Sequence, residues 1–131
     1  MNAQKTILVV DDDENLREIL KVGLQKEGYH VVTAKNGKEG IERFDEWHPS
    51  LIILDVRMPV MDGYNFYSNM REKLEKTPCP IIGLTGETHI ENLFEDFNID
   101  LYVSKPFNIQ KLLQKIAVMI VQEKVEKDEG T

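Results

Sequence analysis

Short apolar runs alternate along the chain with longer segments in which apolar residues recur at helical spacing. The runs predict five strands: TILVV at 6–10, YHVVTA at 29–34, LIILD at 51–55, PIIGLT at 80–85 and LYVS at 101–104. Helices are predicted over about 14–27, from near Asn36, over about 63–75, around Ile90 to Phe97, and over about 107–125. This alternation predicts an α/β fold, in which right-handed crossovers build one parallel sheet with helices on both faces.

Apolar side chains mark the buried faces of the first and last helices. The first helix places Leu16, Ile19, Leu20 and Leu24 on one face, and Gly28 is predicted to end it as a left-handed C′ residue. The core-facing stripe of the last helix comprises Ile109, Leu112, Leu113, Ile116 and Ile120. Both helices therefore have one face suited to packing on the sheet.

The last helix carries a second apolar stripe, formed by Val118, Val121 and Val125. Two interpretations stay open. The stripe adds packing within the domain, or it forms a partner or dimer surface rimmed by Lys115 and Gln122. A Val121→Glu variant separates them, because it impairs self-association or partner binding only in the second case.

Composition and charge narrow the class of protein. The 131 residues have the length of one domain, which we assign to residues 1–121, with residues 122–131 as the end of the last helix and a polar tail. The net charge of −7 argues against direct nucleic-acid binding, and no apolar run reaches transmembrane length. Because Cys79 is the single cysteine and the N-terminus lacks a signal-peptide core, we expect a cytoplasmic protein.

Polar side chains stand at or just past the carboxyl ends of four predicted strands. Asp11 and Asp12 follow the first strand, Asp55 ends the third, Thr85 ends the fourth, and Lys105 follows the fifth. Neighbouring strands lie about 4.8 Å apart, so the three aspartates can converge on one cation at this edge of the sheet. Oxygen ligands with no Cys or His nearby suit Mg²⁺. The sequence therefore predicts a magnesium site.

The acidic run DDD at 11–13 has a simpler alternative, a solvated loop that caps the first helix. The placement of Asp55, Thr85 and Lys105 at the same edge favours the metal site for Asp11 and Asp12. Asp13 is instead predicted to cap the helix.

Four segments resemble, in order and spacing, the receiver domains of bacterial response regulators: ILVVDDDE, LIILDVRMPVMDG, IIGLTGE and YVSKPF. The resemblance covers about residues 4–121. Its most specific part is the segment from Asp55 to Gly63 together with Lys105 and Pro106. It implies a flavodoxin-like, doubly wound (βα)5 fold with strand order 2-1-3-4-5.

The resemblance also implies a role for each residue at the predicted site. Asp55 matches the phosphoacceptor, which takes a phosphoryl group from a phosphohistidine of a sensor kinase. Asp11 and Asp12 match the acidic pair that holds Mg²⁺ together with Asp55, and the backbone carbonyl of Arg57 is a further expected ligand. Lys105 matches the lysine that contacts a phosphoryl oxygen.

Two further residues match the switch of this family. Thr85 is expected to turn its hydroxyl to the phosphoryl group, and Tyr102 to swing inward as Thr85 moves. The surface that changes is that of the fourth predicted helix, the fifth strand and the last helix. For Tyr102 the alternative is a residue at the edge of the core.

The chain departs from the family pattern near the site. Arg57 and Glu87 flank it, and we hypothesise that they form an ion pair that slows the entry of water. Gly86 replaces the commoner alanine after Thr85. The interval from Thr85 to Lys105 is about two residues shorter than usual, which predicts a shortened fourth helix. Asn98 stands where the family usually has glycine.

An enzyme is the main alternative. The run VVDDDEN resembles the start of a haloacid-dehalogenase-type phosphatase, with Asp11 as the nucleophile and Asp13 as the acid. Asn15 is unusual for that family, and the segment MPVMDG has no role in it. Turnover of p-nitrophenyl phosphate separates the two functions. A flavodoxin-like cofactor-binding protein and a receiver-like domain that is not phosphorylated are weaker alternatives.

The sequence thus predicts a phosphorylation-switched receiver rather than a conventional turnover enzyme, although it promotes its own phosphorylation and dephosphorylation. Expected partners are a sensor histidine kinase or a histidine phosphotransfer protein, and a downstream effector protein. We expect a monomer or weak dimer that acts through a partner, a phosphotransfer protein or a domain outside this chain.

Overall fold

The computed structural model describes residues 4–55, 63–86 and 99–129, apart from the side chains of residues 63–64 and 121–129. In chain order these ranges contain β1 (Thr6–Val10), α1 (Glu14–Lys26), β2 (His30–Ala34), α2 (Gly37–Trp47), β3 (Leu51–Asp55), α3 (Gly63–Lys76), β4 (Ile81–Thr85), β5 (Leu101–Ser104) and α4 (Ile109–Glu129). The predicted helix around Ile90 to Phe97 and the expected role of Asn98 fall outside the described residues.

The five strands form one parallel sheet in the order β2-β1-β3-β4-β5. The predicted fold class and strand order are therefore confirmed. The chain first runs outward from β1 to β2 and then returns past β1 to β3, so the direction of strand addition reverses between β1 and β3. In open α/β sheets this switch point is where ligands bind, beyond the carboxyl ends of the strands.

Alternate residues of the buried strands face two separate apolar layers. Ile7 and Val9 of β1 belong to the layer covered by α1 and α4. Leu8 and Val10 belong to the layer covered by α2 and α3. All four side chains are fully buried, which explains why β1 has no polar alternation in its sequence.

Helix α1 begins and ends where its sequence predicts. The Asp13 carboxylate accepts hydrogen bonds from the backbone N–H groups of Asn15 and Leu16, so the predicted N-cap is confirmed. Gly28 follows the helix with φ of 95°, as a left-handed C′ residue must. Its N–H donates to Gln25 O, and Tyr29 N–H donates to Leu24 O, which completes a Schellman motif.

One residue of the predicted buried face of α1 is exposed. Leu20 and Leu24 are fully buried and Leu16 packs against the same layer, but Ile19 is 56% exposed. The prediction for Ile19 was therefore wrong. The sheet lies under the Leu20 and Leu24 side of the helix, while Ile19 and Val22 line a groove between α1 and α4.

Helix α2 is capped by Asn36, whose side-chain oxygen accepts the Glu39 N–H at 2.9 Å. Its Gly40 faces Phe66 of α3 and Val10 of β1 at very short range. A Cβ atom at Gly40 would lie 2.7 Å from Phe66 Cε2. Glycine at this position therefore allows α2 to approach both the sheet and α3.

Helix α4 begins at Ile109 rather than near residue 107, because Asn108 caps it with a side-chain oxygen that accepts the Lys111 N–H. It continues to Glu129, beyond the predicted end near 125. The predicted core stripe is confirmed for Ile109, Leu112, Leu113, Ile116 and Ile120, which pack in the layer shared with α1. Among the described residues no helix has the length and apolar character needed to cross a membrane.

The second stripe of α4 is described only in part. Val118 is 55% exposed, and the side chains of Val121 and Val125 lie outside the described residues. Exposure of Val118 argues against packing within the domain at this position. The partner surface on this helix stays a hypothesis.

Candidate functional site

Three aspartates converge at the switch point of the sheet. Asp11, which follows β1, is fully buried, Asp55 at the end of β3 is 5% exposed, and Asp12 faces solvent. One carboxylate oxygen from each lies within 4.8 Å of the others. The convergence predicted from strand spacing is therefore confirmed as geometry.

Backbone hydrogen bonds and a cation hold Asp11 in place. Its N–H donates to Ala34 O of β2 at 3.1 Å, and its Oδ1 accepts the Asp13 N–H at 2.9 Å. The Arg17 guanidinium donates from Nη1 to Asp11 O at 2.7 Å. No role was predicted for Arg17. The sequence signal for this contact was the position of Arg17 one helical turn after the Asp13 cap. Side chains of an α-helix lean toward its N-terminus, so an arginine there can reach the residues that precede the helix.

Lys105 adds a positive charge to the site. Its N–H donates to Thr85 O at 2.7 Å, which ties the end of β5 to the end of β4, and the peptide bond to Pro106 is cis. The ammonium Nζ lies 3.4 Å from Asp11 Oδ2 and 3.3 Å from Asp55 Oδ2.

The pKa of Lys105 results from opposing effects. Burial lowers it, but attraction by the negative charges of Asp11 and Asp55, with hydrogen bonds to both carboxylates, more than offsets burial. The net result is a pKa above the ordinary value of lysine. Lys105 therefore carries a positive charge at the site throughout the physiological range.

The residues present fit a magnesium ion. The three carboxylates together with the Lys105 ammonium, which contacts Asp11 and Asp55, give the cluster a formal charge of −2, which one divalent cation neutralises. Among the described residues the candidate donors are carboxylate oxygens, the type that Mg²⁺ prefers. Exposure of Asp12 leaves one side of the cluster open to water, which Mg²⁺ retains in protein sites.

Thr85, Tyr102 and Gly86 occupy distinct positions around the carboxyl end of β4. Thr85 is the last strand residue and is 3% exposed. Tyr102 lies on β5, half-buried, directly opposite Gly83. Gly86 faces solvent, and a Cβ atom there would meet nothing within 4 Å. The residue that replaces the common alanine thus leaves space open next to Thr85.

Two expected site residues lie outside the described part of the chain. These are Arg57, with its carbonyl as a metal ligand, and Glu87, its hypothesised ion-pair partner. Both roles stay predictions.

The position of Asp13 argues against the phosphatase alternative. That function needs Asp13 as an acid beside the nucleophile Asp11. Instead, Asp13 Oδ1 accepts two backbone N–H groups of α1, and the converging cluster is formed by Asp11, Asp12 and Asp55. The comparisons with known proteins do not support this alternative either.

Comparisons with known proteins agree with the geometry. The model of the response regulator receiver domain family matches residues 7–117. The chain is 40% identical over 117 residues to a probable transcriptional regulator, ycf27, of Porphyra purpurea, covering 88% of this chain and 47% of that protein. It spans about half the length of this relative and of the ycf27 proteins of Pyropia yezoensis and Cyanophora paradoxa.

Solved structures show the same fold at full domain length. The chemotaxis protein CheY4 of Vibrio cholerae is 33% identical with a TM-score of 0.80, and the match covers 88% of this chain and 98% of that one. The response regulator TrrA of Thermotoga maritima is 39% identical with a TM-score of 0.77, covering 87% and 97% respectively. The latter structure is a complex with Mg²⁺ and BeF.

Proposed function

We propose, on the premise that this chain belongs to the response regulator receiver domain family, that Asp55 is its phosphoacceptor. The chain is a phosphorylation-activated receiver of two-component signalling. The proposal assigns the residues that perform the phosphoryl transfer. The observation that carries this assignment is the convergence of Asp55 with Asp11, Asp12 and the Lys105 ammonium at the switch point.

In the proposed transfer, a carboxylate oxygen of Asp55 attacks the phosphorus of a phosphohistidine. An oxygen–phosphorus bond forms, the phosphorus–nitrogen bond breaks, and the electron pair stays on the donor imidazole, which takes a proton from solvent. The product is an acyl phosphate. Such transfers depend mainly on positioning and on stabilisation of charge, which a buried carboxylate beside a fixed cation provides.

Asp11, Asp12 and Asp55 are the residues that would hold Mg²⁺, with the Arg57 carbonyl as a further expected ligand. When bound, the ion neutralises charge on the phosphoryl oxygens. Lys105 supplies a separate cation: its Nζ lies 3.3 Å from the attacking carboxylate and can bind a phosphoryl oxygen once the group arrives.

Thr85 and Tyr102 form the proposed switch. Thr85 is buried at the end of β4, beside the phosphoacceptor strand β3, where its hydroxyl can bond the transferred group. Movement of Thr85 then changes the space available to Tyr102 on β5. A new charge with strong acceptor oxygens is a common means of biasing such an element between two positions.

Response regulators work with sensor kinases and with effector domains, and we propose both kinds of partner for this chain. The donor would be a sensor histidine kinase or a histidine phosphotransfer protein. The output surface would combine the fourth predicted helix, β5 and α4, acting on a separate effector protein or on a domain outside this chain. The cytoplasmic location, the absence of direct nucleic-acid binding and the monomer or weak dimer stay predictions.

Intact mass after incubation with acetyl phosphate, with and without Mg²⁺, tests the proposal. We expect one phosphoryl adduct in the wild type, dependent on Mg²⁺, absent in Asp55→Asn and retained in the matched control Asp45→Asn. Asp45 is an exposed aspartate paired with Lys73 on another part of the surface. An adduct that survives in Asp55→Asn but disappears in Asp11→Asn would contradict the assignment of Asp55. Absence of any adduct from acetyl phosphate and from a phosphorylated histidine kinase would overturn the proposed function.

A further inference from the structure

Tyr102 and Gly83 are direct partners across two strands. β5 is the edge of the sheet, and its Tyr102 is in register with Gly83 of β4. Partner residues of neighbouring strands point to the same face. A tyrosine ring on an edge strand has two positions available, leaning inward over the neighbouring strand or outward into solvent.

The ring takes the inward position in this structure. The place that a Cβ atom of residue 83 would occupy lies 3.3 Å from Tyr102 Cδ1 and Cε1, and 3.4 Å from Ile99 Cγ2. Contacts at 3.3 Å are tighter than ordinary van der Waals contact. The ring and Ile99 thus cover the backbone of Gly83, and a side chain at residue 83 would force one of them to move.

The space left by Gly83 is confined to one position of β4. Ile82 and Leu84 fill the opposite face of the strand, and Ile81 is buried in the same layer that Gly83 faces. Gly83 is the one residue of this five-residue strand that has no side chain. The ring of Tyr102 fills the space that a side chain on β4 would otherwise take.

We propose that Gly83 is a positioning residue for Tyr102. Because Gly83 has no side chain, it leaves a space on β4, here called the seat, that holds the Tyr102 ring inward before any phosphoryl group is present. The proposal rests on the function proposed above for Asp55, Thr85 and Tyr102. Gly83 lies within the segment IIGLTGE, but none of the roles described above belongs to it.

The seat lies close enough to Thr85 to influence the site. Thr85 and Gly83 are on the same face of β4, two residues apart, and Tyr102 is the diagonal neighbour of Thr85. Diagonal neighbours on a sheet are within reach of an aromatic side chain. A phosphoryl group that draws the Thr85 hydroxyl toward Asp55 frees space beside the ring, so it favours the inward position. Coupling of this kind is reciprocal, so a side chain at residue 83 that blocks the seat weakens binding of the phosphoryl group at the site.

The test uses the full chain labelled with 3-fluorotyrosine. Four tyrosines give four ¹⁹F resonances, and the Tyr102→Phe variant identifies that of Tyr102. Exposure of the ring is measured in metal-free protein by the change of its ¹⁹F shift between H₂O and D₂O. We compare Gly83→Val and Gly83→Ala with the control Gly23→Ala, where the added Cβ meets Ile109 at an ordinary 3.7 Å. If Gly83→Val does not fold, Gly83→Ala carries the test.

We expect the solvent isotope shift of Tyr102 to rise in Gly83→Ala, to rise further in Gly83→Val, and to stay unchanged in Gly23→Ala. Calorimetric affinity for beryllofluoride in the presence of Mg²⁺ should fall by about fivefold in Gly83→Val, the lower end of typical coupling between sites. An unchanged Tyr102 signal in both folded Gly83 variants overturns the proposal, and so does a displaced ring with unchanged beryllofluoride affinity.

Failure of the proposed function gives a different result. In that case wild-type protein forms no adduct on Asp55, whereas the response of the Tyr102 ring to Gly83→Ala in metal-free protein is unaffected.

Discussion

The Lys105 ammonium lies 3.3 Å from Asp55 Oδ2 and contacts Asp11 Oδ2 from the same position. Without another cation, Lys105 neutralises part of the charge of the acidic cluster. A metal ion bound by the same carboxylates therefore comes close to a positive charge that the fold already holds there. We therefore expect the residue proposed to assist phosphoryl transfer to oppose metal binding as well.

Substitution of Lys105 by glutamine should strengthen Mg²⁺ binding by about tenfold or more. A unit charge about 4 Å from a divalent ion costs ~2 kcal/mol even at the dielectric constant of water. Titration calorimetry with MgCl₂ measures the change, and Lys111→Gln on the exposed start of α4 is the matched control. The same variant should accept phosphoryl groups more slowly. Equal Mg²⁺ affinity in wild type and Lys105→Gln would show that the ammonium does not oppose the metal.

Two glycine-to-alanine changes should alter stability in opposite directions. In Gly40→Ala the new Cβ would lie 2.7 Å from Phe66 Cε2 and 3.1 Å from Val10 Cγ2, and both of these side chains are fully buried. Overpacking of this kind costs ~1–3 kcal/mol, more than the helical preference for alanine returns. In Gly23→Ala the nearest atom is an ordinary 3.7 Å away, so the change should stabilise by up to about 1 kcal/mol.

Urea unfolding of both glycine variants, compared with the wild type, checks these signs. A Gly40→Ala variant as stable as the wild type would mean that α2 can move away from Phe66 at little cost.

Loss of the α1 cap should lower the free energy of unfolding. Asp13→Ala removes the carboxylate that accepts the N–H groups of Asn15 and Leu16, at a cost of about 1 kcal/mol. Asp13→Asn keeps a side-chain oxygen and should retain most of the stability. Metal-free protein is used for both measurements, so that binding at the neighbouring site does not contribute. Equal losses in the two variants would assign the effect to charge rather than to capping.

Tyr29 should make stability depend on alkaline pH. Burial raises the pKa of its hydroxyl, and the negative charge of Glu27 raises that pKa further. Since the folded protein binds this proton more tightly than the unfolded chain, the stabilisation is complete below the unfolded pKa of about 10 and is lost as pH rises through the folded pKa. Between about pH 9 and pH 11 the wild type should therefore lose more stability than Tyr29→Phe.

Urea unfolding across this pH range provides the comparison, and Glu27→Gln should reduce the difference. Parallel pH profiles for wild type and Tyr29→Phe would mean that the hydroxyl titrates alike in the folded and unfolded chains.

The alternation of apolar runs with helical patterns determined the order of elements and the sheet. The strands are apolar throughout and the helices have one apolar face, so burial leaves few other arrangements. Local signals were equally reliable at the ends of α1, because Asp13 and Gly28 act through bonds to residues close in sequence. The convergence of Asp11, Asp12 and Asp55 could be predicted from the sequence as well, since parallel strands bring their carboxyl ends to one edge of the sheet.

Tertiary structure alone decided which neighbours each of these residues meets. Ile19 has the spacing of a core residue, yet it is exposed because the sheet lies under the other side of α1. Arg17 reaches the Asp11 carbonyl across the start of the helix, and the Lys105 ammonium lies between two carboxylates from different strands. Gly83 and Tyr102 are far apart along the chain, and only the register of β4 with β5 places the ring over the glycine. Periodicity and capping are properties of local sequence, whereas contact across strands depends on register and packing, which the whole fold determines together.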